Sequence, residues 1–214
     1  MATNVILSKS AALTPKSDQS GSVVNICSPD WFDKRAQYSV ANPSPPAADL
    51  IFTGDDLNFL ARVIYAEASG SAAIKDEQVR LREKLAIIHV MYNRLNVPGF
   101  DPNNWIKGKF TTFKGVAGAV KVLPGGSLSG VQFESVVGTD GSGTSKFKST
   151  GAQSVELLNK ANCRDFEECF KAIRQFLASG PQSDLNFDNF RAAGKKTPPP
   201  GQQIIGGNRF WKMK

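Results

Sequence analysis

Hydrophobic residues recur at helical spacing in three stretches of the chain, and each stretch is bounded by residues that start or stop a helix. The first stretch begins after Thr53-Gly-Asp-Asp56, which has the spacing of a capping box, and it ends at Ser69-Gly70. The pattern predicts an amphipathic helix here. Its apolar stripe consists of Leu57, Leu60, Ala61, Ile64 and Ala68.

Two further helices are predicted over residues 76–96 and 165–178. Pro98-Gly99 stop the first, and Ser179-Gly180-Pro181 break the second. Inward positions are Leu81, Leu85, Ile88, Tyr92 and Leu95 in the first helix, and Phe166, Cys169, Phe170, Ile173 and Leu177 in the second. The early part of helix 76–96 is expected to face solvent through Arg80, Arg82, Glu83 and Lys84.

The remaining patterns are weaker. Short helices are predicted near residues 112–120 and 128–137, and the Gly- and Ser-rich residues 138–145 have the composition of a mobile loop. Strand signals are few, so the predicted fold is mainly α with long loops. Residues 1–48 are rich in Ser, Thr, Ala, Asn and Pro, which predicts an N-terminal arm and Pro-rich linker. Residues 49–214 then form one globular domain, onto which Asp30-Trp-Phe-Asp33 docks the arm.

Composition narrows the class of protein. The chain has 214 residues, of which 41% are hydrophobic, and a formal net charge of +7. No run approaches the roughly 18 apolar residues that span a bilayer, so a membrane-spanning protein is excluded. The positive charge favours an anionic partner, which is nucleic acid, a lipid surface or an acidic wall polymer. Because the basic residues are scattered, the pattern disfavours nucleic acid.

Cysteine and histidine are too few for a metal centre. His89 is the single histidine and no C-x-x-C pair exists, so neither a metal nor another cofactor is expected, and His89 is predicted to be a core residue. Three cysteines leave at least one unpaired; a bridge between Cys163 and Cys169 is feasible if Cys163 precedes the helix. The first residues lack the pattern of a secretory signal.

Glu67 is the most informative polar residue. On the first helix it falls beside Leu60, at the edge of the apolar stripe. Partial desolvation there raises a carboxyl pKa, which suits a general acid near neutral pH. The alternative is an ordinary boundary glutamate near the end of the helix, where the helix dipole is unfavourable to it.

Several short motifs, in order along the chain, resemble the SleB-type (spore cortex-lytic) cell-wall hydrolases of the lysozyme-like superfamily. The first is Ala61-Arg-Val-Ile-Tyr-Ala-Glu-Ala-Ser-Gly70, similar to the A-R-x-x-x-x-E-A-x-G helix of that family. The others are Val90-Met-Tyr-Asn-Arg-Leu95, Phe113-Lys-Gly-Val116, Val131-Gln-Phe133 and Ile205-Gly-Gly-Asn-Arg-Phe-Trp-Lys212. Two departures from the family stand out: the closing motif lacks the family's histidine, and two stretches, residues 71–82 and the Gly-rich one after Glu134, are longer.

The resemblance implies an α+β lysozyme-like fold and cleavage of the β-1,4 bond in the peptidoglycan backbone, with Glu67 as the catalytic residue. A two-carboxylate enzyme needs a second acid about 5–9.5 Å away, for which Glu134 and Asp140 are the candidates. With neither in reach, Glu67 serves as acid and base, and the product ends in a 1,6-anhydro-muramyl sugar. We expect this single-acid route.

Four further residues are candidates for substrate contact. Gln132 and Phe133 offer an amide and an apolar face to a sugar, or else lie at the surface and in the core respectively. Tyr65 is either a contact or, more simply, packing. Asn93 either caps its own helix or orients Glu67.

The missing signal and the wall-cleaving chemistry together indicate a toxin injected into another bacterium, or a phage lytic enzyme. For the preferred toxin, synthesis is cytoplasmic, the site of action is the periplasm and cell wall of the target, and the producer needs a cognate inhibitor that occludes the groove. No nucleic-acid partner and no membrane insertion are expected. The alternatives are non-catalytic binding of wall glycan or of nucleic acid through the basic surface.

Overall fold

Four α-helices frame the part of the chain that the computed structural model describes. That part comprises residues 31–100, 106, 108–122, 128–133, 137–139, 145–147, 160–194 and 197–213. The helices are α1 (Gly54–Glu67), α2 (Glu77–Arg94), α3 (Phe113–Ala117) and α4 (Lys160–Ser179), and a 3-10 turn covers Ser183–Leu185. The two long predicted helices after residues 53 and 76 are confirmed, whereas α4 begins five residues earlier than the pattern indicated. None of the described helices is long and apolar enough to cross a membrane.

Side-chain caps set the helix starts. Thr53 caps α1 by accepting a hydrogen bond from the Asp56 backbone, and Asp76 caps α2 through the amides of Gln78 and Val79. The Asp56 carboxylate, however, accepts hydrogen bonds from the backbone of Phe113 and Lys114, at 2.9 Å each. Asp56 therefore binds the first turn of α3, which fixes α3 against α1. Burial raises the pKa of Asp56 despite these two hydrogen bonds.

The strands are short and form small antiparallel sheets. They are β1 (Gln37–Tyr38) with β2 (Phe52–Thr53), β3 (Val120–Val122) with β4 (Leu128–Val131), β5 (Val137–Thr139) with β6 (Ser145–Phe147), and β7 (Asn189–Ala192), β8 (Gln202–Ile205) and β9 (Asn208–Trp211) in the order β7-β9-β8. The fold is therefore α+β.

Two predictions fail in the middle of the chain. The helix near residues 128–137 is wrong, because residues 128–131 pair with residues 120–122 as a hairpin. Residues 138–145 are not wholly a loop, since Gly138 and Thr139 belong to β5 and Ser145 to β6. Both segments are too short for periodicity to distinguish a strand from a helical turn. Each becomes a strand because a neighbouring segment is available to pair with it.

The core lies between α1, α2 and α4, and the described part of the N-terminal arm belongs to it. Phe32, Val40 and Ala47 are buried with the helix side chains. Asn58 on α1 holds the arm, because its amide oxygen accepts the Phe32 amide at 3.0 Å and its nitrogen donates to the Phe32 carbonyl at 2.9 Å. Residues 1–30 lie outside the described residues.

Three of the four charged residues in the early part of α2 are buried, which overturns their predicted solvent exposure. Arg80, Glu83 and Lys84 are buried, and Arg82 alone of the four is exposed. Arg80 and Lys84 both donate to the Glu168 carboxylate of α4. Burial raises the pKa of Glu168, but these hydrogen bonds and charges outweigh burial and leave the pKa lowered. The two cations of α2 and the carboxylate of α4 therefore supply each other with the hydrogen bonds that water would otherwise provide.

The cysteines do not form the bridge considered between positions 163 and 169. Cys163 is disulfide-bonded, but Cys169 is a free thiol in the core. Both lie within α4, where a spacing of six residues puts their side chains on different faces. Burial raises the pKa of the Cys169 thiol to about 12, so this thiol is inert at neutral pH.

His89 is a satisfied core residue, as predicted. Its Nδ1 lies 2.7 Å from the Leu85 carbonyl, and its Nε2 accepts the Gln182 amide at 2.9 Å. The two contacts require the neutral Nδ1–H tautomer. Burial lowers the pKa of His89 below its ordinary value.

We predict that acid destabilises the protein through His89. The unfolded chain takes up a proton near pH 6.5, whereas the folded chain does so only at lower pH, so stability is lost as pH falls below about 6.5, by about 1.4 kcal/mol per unit until the folded pKa is reached. Urea unfolding at pH 8 and pH 5.5 measures this loss. In His89→Gln the loss between the two pH values is smaller; an equal loss would contradict the prediction.

Candidate active site

Glu67 is the last residue of α1, and its side chain is half-buried. The helix ends because Ala68 adopts an extended conformation, with φ −86° and ψ 154°. Ser69 and Gly70 then lead the chain toward α2. The carboxyl group thus projects from the end of a packed helix rather than from a loop, which is a rigid base for a reacting group.

A buried carboxylate, Glu83, lies beside this helix end. It accepts hydrogen bonds from the Ser69 amide at 2.9 Å and from the Ser69 hydroxyl at 3.2 Å. The turn between β8 and β9 supplies the Gly207 amide at 2.8 Å and the Asn208 side chain at 2.9 Å. The side chain of Glu83 on α2 therefore joins the end of α1 to the β8–β9 turn.

Asn208 links this group directly to Glu67. Its amide nitrogen donates to the Glu67 backbone carbonyl at 3.0 Å as well as to Glu83. Asn208 occupies the position where the resembled family has its closing histidine. The residue that replaces the histidine of the resembled family, Asn208, is therefore hydrogen-bonded to the backbone of the candidate acid.

The two glycines of the β8–β9 turn allow the close approach. Gly206 has φ +63°, and a Cβ added to it would lie 2.5 Å from Glu83 Cδ; one added to Gly207 would lie 2.3 Å from Ser69 Oγ. A side chain at Gly206 would push the turn away from Glu83, and one at Gly207 would displace the Ser69 hydroxyl.

Gln132 lies at the other end of α2, where Arg94 orients it. Arg94 Nη1 donates to Gln132 Oε1 at 2.9 Å, which fixes the amide with its nitrogen turned away from the arginine. That nitrogen is buried and has no hydrogen-bond partner among the described residues. Arg94 also donates to the Asp188 carbonyl at 2.8 Å and to Asn189 Oδ1 at 3.1 Å, so α2 and β7 hold it firmly.

Three other candidate residues pack or bridge. Phe133 is 2% exposed, and its ring lies 6.0 Å from that of Phe190, so it is part of the core. Tyr65 packs edge-on against Phe166 at 5.5 Å. Asn93 donates to the Phe187 carbonyl at 2.7 Å and so ties α2 to the segment before β7.

The candidate residues thus fall into two groups along α2. Glu67 lies near Glu83, and Gln132 lies beside Arg94; eleven residues of helix separate these two positions, or about 16 Å. Glu134 and Asp140, the candidates for a second carboxylate, lie outside the described residues. Among the residues that the structure describes, no group of His, Cys, Asp or Glu side chains forms a metal site.

Sequence reasoning missed Glu83, although a signal was present. Apart from His89, residues 85–91 are apolar and cover every face of α2, which indicates a helix surrounded by protein. A charged residue within one turn of such a run lies near the core and is buried where another element supplies a partner, as Glu83 is, while Arg82 stays exposed.

No family model, curated protein or solved structure matches this chain, so the family resemblance depends on the motif residues themselves.

We predict that Gly206→Ala destabilises the protein more than Gly194→Ala does. Both glycines have positive φ, so alanine strains the backbone equally at each. A Cβ at position 194 meets nothing within 4 Å, whereas at position 206 it collides with Glu83. The difference in unfolding free energy, measured by urea denaturation, is expected to be about 1–3 kcal/mol; equal losses would show that the turn does not press on Glu83.

Proposed function

We propose that this protein is a glycosidase of the lysozyme-like superfamily that cleaves the β-1,4 glycan backbone of bacterial peptidoglycan, with Glu67 as general acid and base. The observation that carries the proposal is the placement of Glu67. The glutamate of the family-like motif ends a packed helix, half-buried, with its own carbonyl hydrogen-bonded to Asn208. Helices with small antiparallel sheets are also the elements from which an α+β lysozyme-like fold is built.

Glu67 acts twice in this mechanism. The protonated carboxyl gives its proton to the leaving glycosidic oxygen while an oxocarbenium-like transition state forms at the anomeric carbon. The resulting carboxylate then takes the proton of the muramyl C6 hydroxyl as that oxygen bonds to the anomeric carbon. The product is a 1,6-anhydro-muramyl end, and Glu67 is returned to its protonated form.

The surroundings of Glu83 support this single-acid route. Glu83 is joined to Glu67 through Asn208, yet it is 0% exposed and accepts four hydrogen bonds from described residues. A carboxylate so enclosed has no access to the water that an inverting enzyme activates or to the sugar that a retaining one attacks.

Gln132 is the residue we assign to substrate binding. Arg94 occupies its amide oxygen, so the amide nitrogen is left to donate. A buried donor without a partner costs about 1–3 kcal/mol. Gln132 as a whole is half-buried, so a rotation of its side chain would bring this nitrogen to the acetamido carbonyl of a wall sugar, an acceptor that would relieve the cost.

We further propose that the protein is an antibacterial effector that acts in the periplasm of a target cell and is held inactive in the producer by a cognate inhibitor. The disulfide at Cys163 supports action outside the cytoplasm, because disulfides persist in oxidising compartments. A phage lytic enzyme of the same chemistry is the alternative source.

Non-catalytic binding of wall polymer is the second candidate function, and a cationic sheet face favours it. Arg191 and Arg209 are directly opposite each other on β7 and β9, with Ile204 of β8 in the same row. Like charges in a cross-strand pair repel, so an anion on this face would stabilise it. This face is opposite to the buried face that carries Phe210.

We predict that the purified protein clears peptidoglycan suspensions and that Glu67→Gln lowers the rate by about 100-fold or more, since general acid catalysis contributes 10²–10⁴. Turbidity measures the rate, and mass spectrometry of the digest is expected to show anhydro ends, one water lighter than reducing ends.

Glu77→Gln is the matched control, because Glu77 pairs with Lys171 on the surface; it is expected to keep the full rate. A Glu67→Gln variant that clears as fast as wild type would overturn the assignment. Binding to the wall without clearing by the wild type would instead support the second candidate.

We predict that the compartment decides toxicity in a bacterial host. The substrate lies outside the inner membrane, so expression without a leader is tolerated, while the same chain sent to the periplasm lyses the cell. Plating efficiency and culture turbidity measure both arms, with Glu67→Gln in the periplasm as the control. Equal killing from both compartments would point to a cytoplasmic target.

A further inference from the structure

We propose that Glu83 is the positioning residue for Glu67: its buried carboxylate holds the end of α1 so that the acid meets the glycosidic oxygen. This inference rests on the proposed function, and it assigns a role to a residue that lies outside the family-like motifs. Glu83 itself does not touch substrate, because it is wholly buried.

The hydrogen bonds fall on both sides of the candidate acid. On one oxygen, Glu83 Oε2 accepts the amide of Ser69, two residues after Glu67. On the other oxygen, Glu83 Oε1 accepts Asn208 Nδ2, which also donates to the Glu67 carbonyl. The Glu83 carboxylate therefore holds the backbone at two points, directly at Ser69 and through Asn208 at Glu67.

The tie matters because of where Glu67 sits. The last turn of a helix leaves carbonyl groups without intrahelical partners and tends to fray. Here the carbonyl of the last residue has a partner, Asn208, and Asn208 is in turn held by Glu83. A fraying end would let the carboxyl drift, and a misplacement of about 1 Å reduces catalysis by about 100-fold.

The position requires a carboxylate rather than any side chain of that size. The two backbone amides of Ser69 and Gly207 and the Asn208 side chain all present N–H groups to it. A carboxylate accepts on both oxygens, whereas an amide of the same shape presents its own NH₂ to one of these donors. Glu83→Gln therefore preserves packing and removes one half of the tie.

The test compares Glu83→Gln with Lys84→Met, both assayed below their unfolding temperatures. Lys84 is the adjacent buried charge on α2, but it faces Glu168 of α4, so its loss lowers stability without touching the Glu67 end. We expect kcat on peptidoglycan to fall about 10- to 100-fold in Glu83→Gln with KM within about two-fold of wild type, and kcat to be unchanged in Lys84→Met.

A second variant covers the case in which Glu83→Gln folds poorly. Asn208→Ala removes the donor to Glu67 while Glu83 keeps its bonds to Ser69 and Gly207. It is expected to lower kcat in the same direction. Amide hydrogen exchange reports the tie without any substrate: Ser69 and Gly207 are expected to exchange faster in Glu83→Gln and at the wild-type rate in Lys84→Met.

Each outcome separates the two proposals. If Glu67→Gln is inactive but Glu83→Gln keeps the wild-type kcat, the positioning role is overturned and the proposed function stands. If Lys84→Met loses kcat as much as Glu83→Gln does, the effect is one of stability and the positioning role is again overturned. A wild type without activity on peptidoglycan overturns the function, and the positioning role with it.

Discussion

The fold depends on how α2 satisfies its charged residues away from water. This helix is buried on every face from Glu83 to Tyr92, yet it carries the buried charged residues Arg80, Glu83 and Lys84. An unpaired buried charge costs several kcal/mol. Each charge therefore requires a partner from another element, and the partners come from α4 for the two cations and from the β8–β9 turn for Glu83. The positions of α4 and of that turn follow from this requirement.

The same requirement brings the candidate site together. The β8–β9 turn approaches α2 because Glu83 needs donors, and the approach carries Asn208 to the Glu67 carbonyl. At the far end of α2, Arg94 has the corresponding role, since its contacts to Gln132 and to β7 fix both. One helix thus places an acid near one end and an amide donor at the other.

The sequence predicted the elements that depend on local pattern and missed those that depend on distant partners. Helices α1 and α2 have apolar stripes and caps, so periodicity found them, and the environment of His89 followed from its inward position. Residues 128–131 became a strand through pairing with residues 120–122, which no local signal reveals. Likewise, Arg80, Glu83 and Lys84 look like a solvated face until Glu168 and Gly207, some 80 to 120 residues later, are placed against them. The prediction of Glu67 as a site residue depended on its position beside the apolar stripe and on the family-like motif, and required no knowledge of its contacts in the fold.

The sequence separation of the Glu83 contacts has a consequence for the order in which the protein matures. Glu83 and Gly207 are 124 residues apart in the chain, so α2 leaves the ribosome long before the turn that completes its surroundings. Contacts of such long range form late in folding. A nascent chain would thus hold Glu67 on an untethered helix end until the β8–β9 hairpin docks, so the candidate site is completed only after that hairpin has been synthesised.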